Sequence, residues 1–230
     1  GRYTADIGMT DQAYVAFIRS PYAHADVLAV DVTKAASAAG VLAVLTGQDY
    51  ESDGLMSLLY PGRLPDHLDP TKPSLTSDEL FPPPGALPIV VDRVRHVGEI
   101  VALVVAETAA AAVDAAELVV VDYEPLPSVS DARLALADGA PLVWETGNLC
   151  AEAERGDAAL VATALQEAAH VVRLSLHNHR VHGSPIEPRS ALARFAPDSG
   201  RYELYAPSQG VHRFRHVLAK ALCVETAAIR

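Results

Sequence analysis

The sequence has 230 residues, half of them apolar, and a formal net charge of −11 at pH 7. A chain of this length folds as one large domain or two ordinary ones, with enough apolar side chains for a buried core. The acidic balance argues against nucleic acid or an anionic membrane as a partner, because phosphate groups are bound by basic surfaces. The sequence contains no apolar run long enough to predict a transmembrane helix.

The first 130 residues contain apolar patterns that predict a single α/β layer of strands and helices. The connections after residue 98 are short, so a right-handed crossover is expected to place the last two strands of the layer side by side and parallel. Thr108 is the predicted N-cap of the helix between them. Strands are predicted at 13–20, 25–32, 41–47, 98–107 and 119–127, and helices at 33–40 and 108–118.

Residues 50–88 interrupt this layer with eight prolines and no periodic apolar pattern. Such a composition predicts a long surface loop that crosses from one element to the next. A linker between two domains is the alternative interpretation.

A second unit is predicted from residue 131 to residue 230. Its sheet has no strand to close it, so we expect more chain or a partner to cover its apolar faces. The predicted elements are a loop with a short helix at 131–144, a helix at 157–168 capped by Asp157, a long strand at 170–185, a hairpin of 190–196 and 201–206, a helix at 211–222, and a strand beginning after Cys223.

The two cysteines, Cys150 and Cys223, are far apart and neither belongs to a CxxC pattern. This usage is typical of reduced thiols in a cytoplasmic protein, which is the predicted location. It gives no support to an iron–sulfur cluster on this chain.

Two histidine pairs are the candidates for a metal site. His177 and His179 share a face of the predicted long strand, close to His182, and His212 and His216 are one turn apart on the final helix. Neither pair has a carboxylate or thiol at a recognised ligand spacing. Ordinary surface or interface histidines are therefore expected, and a small zinc hydrolase is a minor alternative.

Glu99 and Glu187 are the candidates for an acid pair. Glu187 lies close to Arg189, and a structural ion pair or a capped turn is the expected role. A glycosidase-type pair has no further support. The nucleophile-elbow, dinucleotide-binding and phosphate-loop motifs are all absent from the sequence, so no catalytic residue is predicted.

Ser208, Gln209 and Gly210 separate a strand that stops at Pro207 from the final helix. The Gln209 amide has two donors and an acceptor, and Gly210 would let a large ligand approach closely. A helix N-terminus favours anionic ligands, although Ser208 could also cap it. From these residues alone, a ligand site and an ordinary surface turn are both open.

In chain order, six segments resemble the large subunit of the molybdenum hydroxylases, the family of xanthine dehydrogenase, aldehyde oxidase and aerobic carbon monoxide dehydrogenase. The combination is specific and covers nearly the whole chain outside the proline-rich stretch. The segments are FIRSPYAHADVLAVDV, GVLAVLTGQD, VRHVGEIVALVVAET, ELVVVDYEPLPSV, NHRVHGSPIEPRSALA and SQGVHRFRHVLAKAL.

The resemblance implies an α/β (α+β) fold in which an α/β hammerhead domain at 1–130 precedes the beginning of a molybdopterin-binding domain at 131–230. It implies that Gln209, with Gly210 beside it, binds a molybdenum–molybdopterin cofactor. It also implies that the turn at 187–189 is structural support near this site. No metal ligand is expected on the chain itself.

The implied activity is hydroxylation of a C–H bond in a small heterocycle or aldehyde, with the oxygen taken from water. Electrons would pass to iron–sulfur clusters and FAD on partner subunits or domains. The family's glycine-rich cofactor segment and its catalytic glutamate are absent from this sequence. The chain alone is therefore expected to be inactive, and the remaining part of the molybdopterin-binding subunit is an expected partner. The alternative is a non-catalytic hammerhead-fold scaffold or binding module.

Overall fold

The computed structural model describes residues 1–58, 87–149, 156–179 and 181–230. Most of the proline-rich stretch, for which a surface loop is predicted, lies outside the described residues, as does Cys150. Within the described part of the chain, no helix is both long enough and apolar enough to span a bilayer.

The first region of the chain folds into two antiparallel sheets of three strands each. The first sheet has the order β1-β5-β3 and the second has the order β4-β2-β6. Five of these strands fall where the apolar patterns of the sequence predict them. The bounds are β1 Tyr14–Arg19, β2 Ala25–Asp31, β3 Val41–Thr46, β4 Arg93–Val94, β5 Ile100–Ala106 and β6 Val120–Pro125.

Five α-helices are described, and two predicted N-caps are confirmed. The Thr108 hydroxyl accepts a hydrogen bond from Ala111 N at 3.1 Å, and the Asp157 carboxylate accepts one from Leu160 N at 2.8 Å. The helices are α1 Thr33–Ala36, α2 Gly47–Ser52, α3 Ala109–Ala116, α4 Ala158–Glu167 and α5 Val211–Ala221, with 3-10 turns at Thr4–Asp6 and Thr226–Ala228.

The predicted parallel pairing of β5 with β6 is wrong. β5 is the central strand of the first sheet, and β1 and β3 occupy its two edges. Because a strand has only two edges, β6 pairs with β2 in the other sheet. The helix α3 therefore connects two different sheets instead of two neighbours in one.

The core joins the two sheets. α3 contacts β1 and β5, and α1 contacts β3, so the helices cover the first sheet. Their inward side chains are alanines, and small side chains let a helix lie close to a sheet. The buried set between the sheets is Ala25, Val90, Val94 and Val101, with Ile18, Val27, Val121 and Tyr123 packed against it, and the helix alanines are Ala35, Ala112 and Ala115.

A buried histidine fixes the end of the first region. The side chain of His24 is only 5% exposed, and its Nδ1 lies 2.8 Å from the carbonyl oxygen of Pro127. The amide of Leu126 donates to the His24 carbonyl at 2.9 Å. His24 therefore holds the chain at the point where it leaves β6.

The second region has its predicted hairpin and the helices predicted at 157–168 and 211–222. Strands β7 (Leu192–Ala196) and β8 (Arg201–Tyr205) pair antiparallel. After the second 3-10 turn, Arg230 N donates to Tyr202 O at 2.8 Å, and Leu204 N donates to Arg230 O at 2.9 Å. The last residues thus run beside β8 as the beginning of the predicted strand.

The long strand predicted at 170–185 is wrong within the described residues, and residues 131–144 form turns without a helix. Val172 is 91% exposed and Leu174 is 78% exposed. A β-strand needs a neighbour to bond its backbone N–H and C=O groups. No described strand lies beside these residues, so the alternating pattern has no sheet to join.

Candidate functional site

The junction that the sequence singles out lies at the N-terminal end of α5. Gly210 is the N-cap residue, with an extended φ of −169°, and no described side chain caps the helix. Ser208 Oγ accepts a hydrogen bond from Gly210 N at 3.1 Å instead, so the predicted capping role of Ser208 is wrong. The backbone N–H groups of Val211 and His212 at the start of α5 therefore have no side-chain acceptor among the described residues.

A cavity of about 320 Å³ lies beside this junction. It is bounded by the N-terminal 3-10 turn, β8, α5 and the last two residues. The apolar walls are Ile7, Leu204, Val211, Phe214, Leu218 and Ile229, and the polar groups belong to Thr4, Ser208, Arg215 and Arg230. The cavity thus combines an apolar body with a few hydroxyl and guanidinium donors, as small-molecule sites do.

Gln209 is exposed and stands between two cavity residues, Ser208 and Val211. Its amide has no hydrogen-bond partner within the described part of the chain. A Cβ placed on Gly210 would meet only Arg213 Cβ, at 3.8 Å. The backbone beside the amide therefore faces open space, and the amide donors remain available.

Glu187 is linked to the rim of this cavity through Thr4. The backbone N and the hydroxyl of Thr4 both lie 3.4 Å from Glu187 Oε1 and donate to it. Glu99 has different partners: its carboxylate accepts from Arg95 N at 2.5 Å and lies 4.0 Å from His96 Nε2. The two glutamates thus bond to separate segments, each in a structural role.

The C-terminal end of α5 is fixed to the first region. Met56 N donates to Ala221 O at 2.9 Å, and Cys223 Sγ lies 3.5 Å from Gly54 O. The Tyr50 hydroxyl donates to Met56 O at 2.7 Å, and burial raises the pKa of that hydroxyl, with a smaller contribution from the Cys223 thiol. The helix is therefore anchored at one end and presents its other end to the cavity.

The histidine pairs do not form a metal site by themselves. The rings of His177 and His179 lie 4.3 Å apart between centroids, and both side chains are exposed. His212 and His216 are exposed on α5. No group of three or more His, Cys, Asp or Glu side chains in the described residues could hold a metal ion. A metal bound among these residues would have to bring its own ligands.

Sequence reasoning missed the cavity and three of its polar residues, Thr4, Arg215 and Arg230. Val211, Phe214 and Leu218 have the spacing of an apolar helix face, and Arg215 falls inside that stripe. A charged residue in an apolar stripe was the available signal for Arg215. The sequence around Thr4 contains no comparable signal, because Thr4 bonds to Glu187, which is 183 positions away.

Two family models match the chain. Residues 1–127 match the aldehyde oxidase and xanthine dehydrogenase a/b hammerhead domain. Residues 143–230 match a molybdopterin cofactor-binding domain. The second match includes β7, β8 and α5, and so contains most of the cavity walls.

Curated relatives and solved structures agree with these matches. The gamma subunit of the 6-hydroxypseudooxynicotine dehydrogenase complex of Paenarthrobacter nicotinovorans is 32% identical over 99% of this chain and 27% of its own length. Quinoline 2-oxidoreductase from Pseudomonas putida 86 is 30% identical, with a TM-score of 0.76 over 100% of this chain and 27% of its own. The Cu,Mo-CO dehydrogenase is 28% identical, with a TM-score of 0.80 over 100% and 28%. The chain spans about a quarter of the length of most of the curated relatives it matches, including the two from Paenarthrobacter nicotinovorans.

Proposed function

The chain belongs to the aldehyde oxidase and xanthine dehydrogenase family of molybdenum hydroxylases, and from that premise we propose that it is the N-terminal portion of a molybdenum-cofactor-dependent oxidoreductase. In this proposal, residues 1–130 are the hammerhead domain and residues 131–230 begin the first molybdopterin-binding domain. The observation that carries the proposal is the free Gln209 amide beside a cavity within the region that matches a molybdopterin cofactor-binding domain.

The residues at the start of α5 fit one side of a polar, anionic cofactor. The Gln209 amide can donate two hydrogen bonds, and Val211 and His212, which no described side chain caps, offer backbone N–H groups at the positive end of the helix dipole. Gly210 keeps the adjoining space open. These groups would hold and orient the cofactor, which supplies the two-electron redox chemistry when bound.

The residues around the cavity have supporting roles in this proposal. The Ser208 hydroxyl accepts from Gly210 N, which holds the backbone turn that carries Gln209. Thr4 and Glu187 tie the N-terminal turn to the turn at 187–189, so that one wall of the cavity stays in place. Arg215 would add a positive charge on the same side.

The proposed reaction is oxidation of a C–H bond in a small heterocycle or aldehyde, with water as the source of oxygen. Quinoline is a nitrogen heterocycle, and it is in the name of one matched structure at 30% identity. That name supports a heterocycle as a substrate class of this proposal. We place the protein in the cytoplasm, as its cysteine usage predicts, and the described thiol of Cys223 is free.

Partner polypeptides are part of the proposal. The electrons would pass to iron–sulfur clusters and FAD on other subunits or domains, because this sequence has two cysteines and a four-cysteine cluster cannot be built from them. The remaining part of the molybdopterin-binding subunit would complete the cofactor site. The isolated chain is expected to have no hydroxylase activity.

The test is the Gln209→Ala variant in the complete native assembly. Loss of one cofactor hydrogen bond should weaken cofactor retention by about 1–3 kcal/mol, or roughly 5- to 150-fold. Molybdenum and pterin content after dialysis is the measurement, alongside activity. Gln48→Ala, which alters an exposed glutamine on α2, is the matched control and should retain the parent's content.

Two outcomes would contradict the proposal. Equal cofactor content in the Gln209 and Gln48 variants would remove Gln209 from the site. A fully matured, active assembly without molybdenum or pterin would remove the function itself and favour the scaffold alternative.

A further inference from the structure

A second and larger groove, of about 1300 Å³, lies between the two regions of the chain, and no residue of α5 lines it. Residues 8–15 and 189–194 line this groove without a gap, together with Phe17 and Arg19 of β1. Successive residues of an extended chain point to opposite faces. The groove therefore runs along the backbone edges of these segments and not over a single face.

Two strands have a free edge at this groove. In the described part of the chain, β1 pairs only with β5, and β7 pairs only with β8. Among the described residues, no backbone hydrogen bond joins the other edge of either strand to another strand. The unpaired N–H and C=O groups of such an edge are a template for an additional strand. An extended peptide is therefore the shape of ligand that this groove fits.

The charge of the groove is opposite to that of the whole chain. The sequence has 29 acidic and 18 basic residues, yet three arginines and a single aspartate, Asp11, line the groove. Arg194 pairs with Glu203, whereas Arg19 and Arg189 have no carboxylate partner among the described residues. Two uncompensated guanidinium groups favour acidic side chains in the ligand.

The groove also has an apolar wall. Val15 and Phe17 alternate on β1 and so share a face, and each is 49% exposed. The guanidinium of Arg19 lies 5.4 Å from the centre of the Phe17 ring. A strand added beside β1 would lie about 4.8 Å from it and would cover both apolar side chains. The ligand should therefore carry apolar side chains as well as acidic ones.

We propose that this groove binds an extended, acidic terminal segment of a separate partner polypeptide, which adds as a β-strand to the free edge of β1. A terminal segment is specified because the incoming backbone must be unpaired until it docks, as it is at a chain end. This inference rests on the partner polypeptides of the proposed function, and it concerns a surface that Gln209 does not line.

A second copy of this chain is a poorer occupant. Each copy carries a net charge of −11, so two copies repel each other. Residues at both ends of the described chain are also already bonded, since Thr4 donates to Glu187 and Arg230 N donates to Tyr202 O. Neither end is therefore available as an incoming strand without first losing these bonds.

A synthetic peptide tests the groove directly. The probe is a fluorescent peptide of alternating glutamate and valine, six residues long like β1, and fluorescence anisotropy at low salt measures its binding to this chain. It should bind at least about tenfold more tightly than the lysine–valine peptide of the same length. Methylation of its backbone nitrogens removes the ladder donors and should weaken binding at least about tenfold. Equal binding of the two peptides, or no loss on methylation, would overturn the inference.

A matched pair of variants locates the binding surface. Arg19→Gln removes the charge but keeps a side-chain donor for Gly98 O, with which Arg19 now bonds at 2.8 Å. It should weaken binding of the glutamate–valine peptide about fivefold. Arg173→Gln removes the same charge from an exposed residue outside the groove and should leave binding unchanged. Equal affinities of the two variants would overturn the inference.

Cross-linking in the native assembly identifies the occupant. A photo-reactive residue in place of Ala13, which is exposed and lines the groove, should cross-link to an acidic terminal segment of a separate polypeptide. A cross-link to a second copy or to the same polypeptide, or no cross-link, would overturn the inference.

Molybdenum and pterin content of the same sample distinguishes this failure from failure of the proposed function. An assembly that contains the cofactor but lacks the expected cross-link overturns the docking of the acidic segment alone. An assembly that gives the cross-link but contains neither molybdenum nor pterin overturns the proposed function.

Discussion

The first region and residues 158–177 of the second region are both rich in apolar side chains but differ in what those side chains contact. Val94 on β4, and Val101 and Val104 in the continuous apolar run of β5, are completely buried. Val172 and Leu174 alternate with polar residues and are 91% and 78% exposed. An alternating pattern therefore predicts which face of a strand can be buried, whereas a neighbouring sheet decides whether it is.

Among the substitutions that test this comparison, the largest loss of stability is expected at Gly47, in the packed first region. A Cβ at this position would lie 2.1 Å from Val90 O and 2.9 Å from Val91 Cα. Backbone must move to admit it, so Gly47→Ala should lower the free energy of unfolding by about 3 kcal/mol. Urea unfolding is the measurement. Gly8→Ala is the control, because nothing lies within 4 Å of the added Cβ, and a Gly47 variant as stable as this control would contradict the packing of α2.

The next effect compares one valine from each region. Val101→Ala removes two methyl groups from a fully buried position of β5 and should cost about 2 kcal/mol. Val172→Ala removes the same groups from a side chain that is 91% exposed and should change stability by less than about 0.5 kcal/mol. The difference in denaturant midpoint between the two variants is the measurement. Similar losses would mean that residue 172 is packed in solution.

The two helix caps give a smaller and more local comparison. Thr108 caps α3, which packs on the first sheet, and Thr108→Ala should cost about 1 kcal/mol of global stability. Asp157 caps α4, which has no buried residue. Asp157→Ala should lower helicity in circular dichroism and leave the global unfolding midpoint unchanged. A shifted midpoint would show that α4 is already part of the cooperative unit.

The smallest effect concerns pH. The hydrogen bond from Arg93 to Asp26 lowers the pKa of that carboxyl, and the two residues are partners across β2 and β4. A lowered folded pKa gives stability that is present above the unfolded pKa of about 3.9 and is lost as pH falls through the folded pKa. The pair should contribute about 0.5–1 kcal/mol at neutral pH.

Parallel acid titrations of stability check this expectation. Asp26→Asn should be less stable than the parent at pH 7, and the difference should vanish in acid. Asp131→Asn is the control, because Asp131 pairs with Arg133 two residues away and the same pair can form in the unfolded chain. A difference between the parent and Asp26→Asn that persists at low pH would show that another interaction of Asp26 is responsible.

Local sequence signals predicted most helices and strands of this fold, but they did not predict which strands pair with each other. The caps at Thr108 and Asp157 were readable because a hydroxyl or carboxylate before an apolar run is a local arrangement. The strand that pairs with β6 could not be predicted from the sequence, because the pairing depends on β1 and β3 occupying both edges of β5.

The candidate site also has one part that the sequence predicts and one part that it does not. The position of Gln209 at a helix start follows from a proline stop, a glycine and a helical pattern within a few residues. The cavity beside it is assembled from the N-terminal turn, β8, α5 and the last residues, and no periodicity links them. The predicted strand at 170–185 was wrong for a related reason, because backbone pairing requires a second strand that the pattern of one strand does not specify.

The contact between His24 and Pro127 has a consequence for the imidazole itself. A carbonyl oxygen can only accept, so Nδ1 must carry the hydrogen of this bond. Nε2 is inaccessible to solvent and has no hydrogen-bond partner among the described residues. The neutral ring is thereby confined to the Nδ1–H tautomer, the one that is rarer in free histidine, and in that form its two nitrogens should give widely separated ¹⁵N resonances.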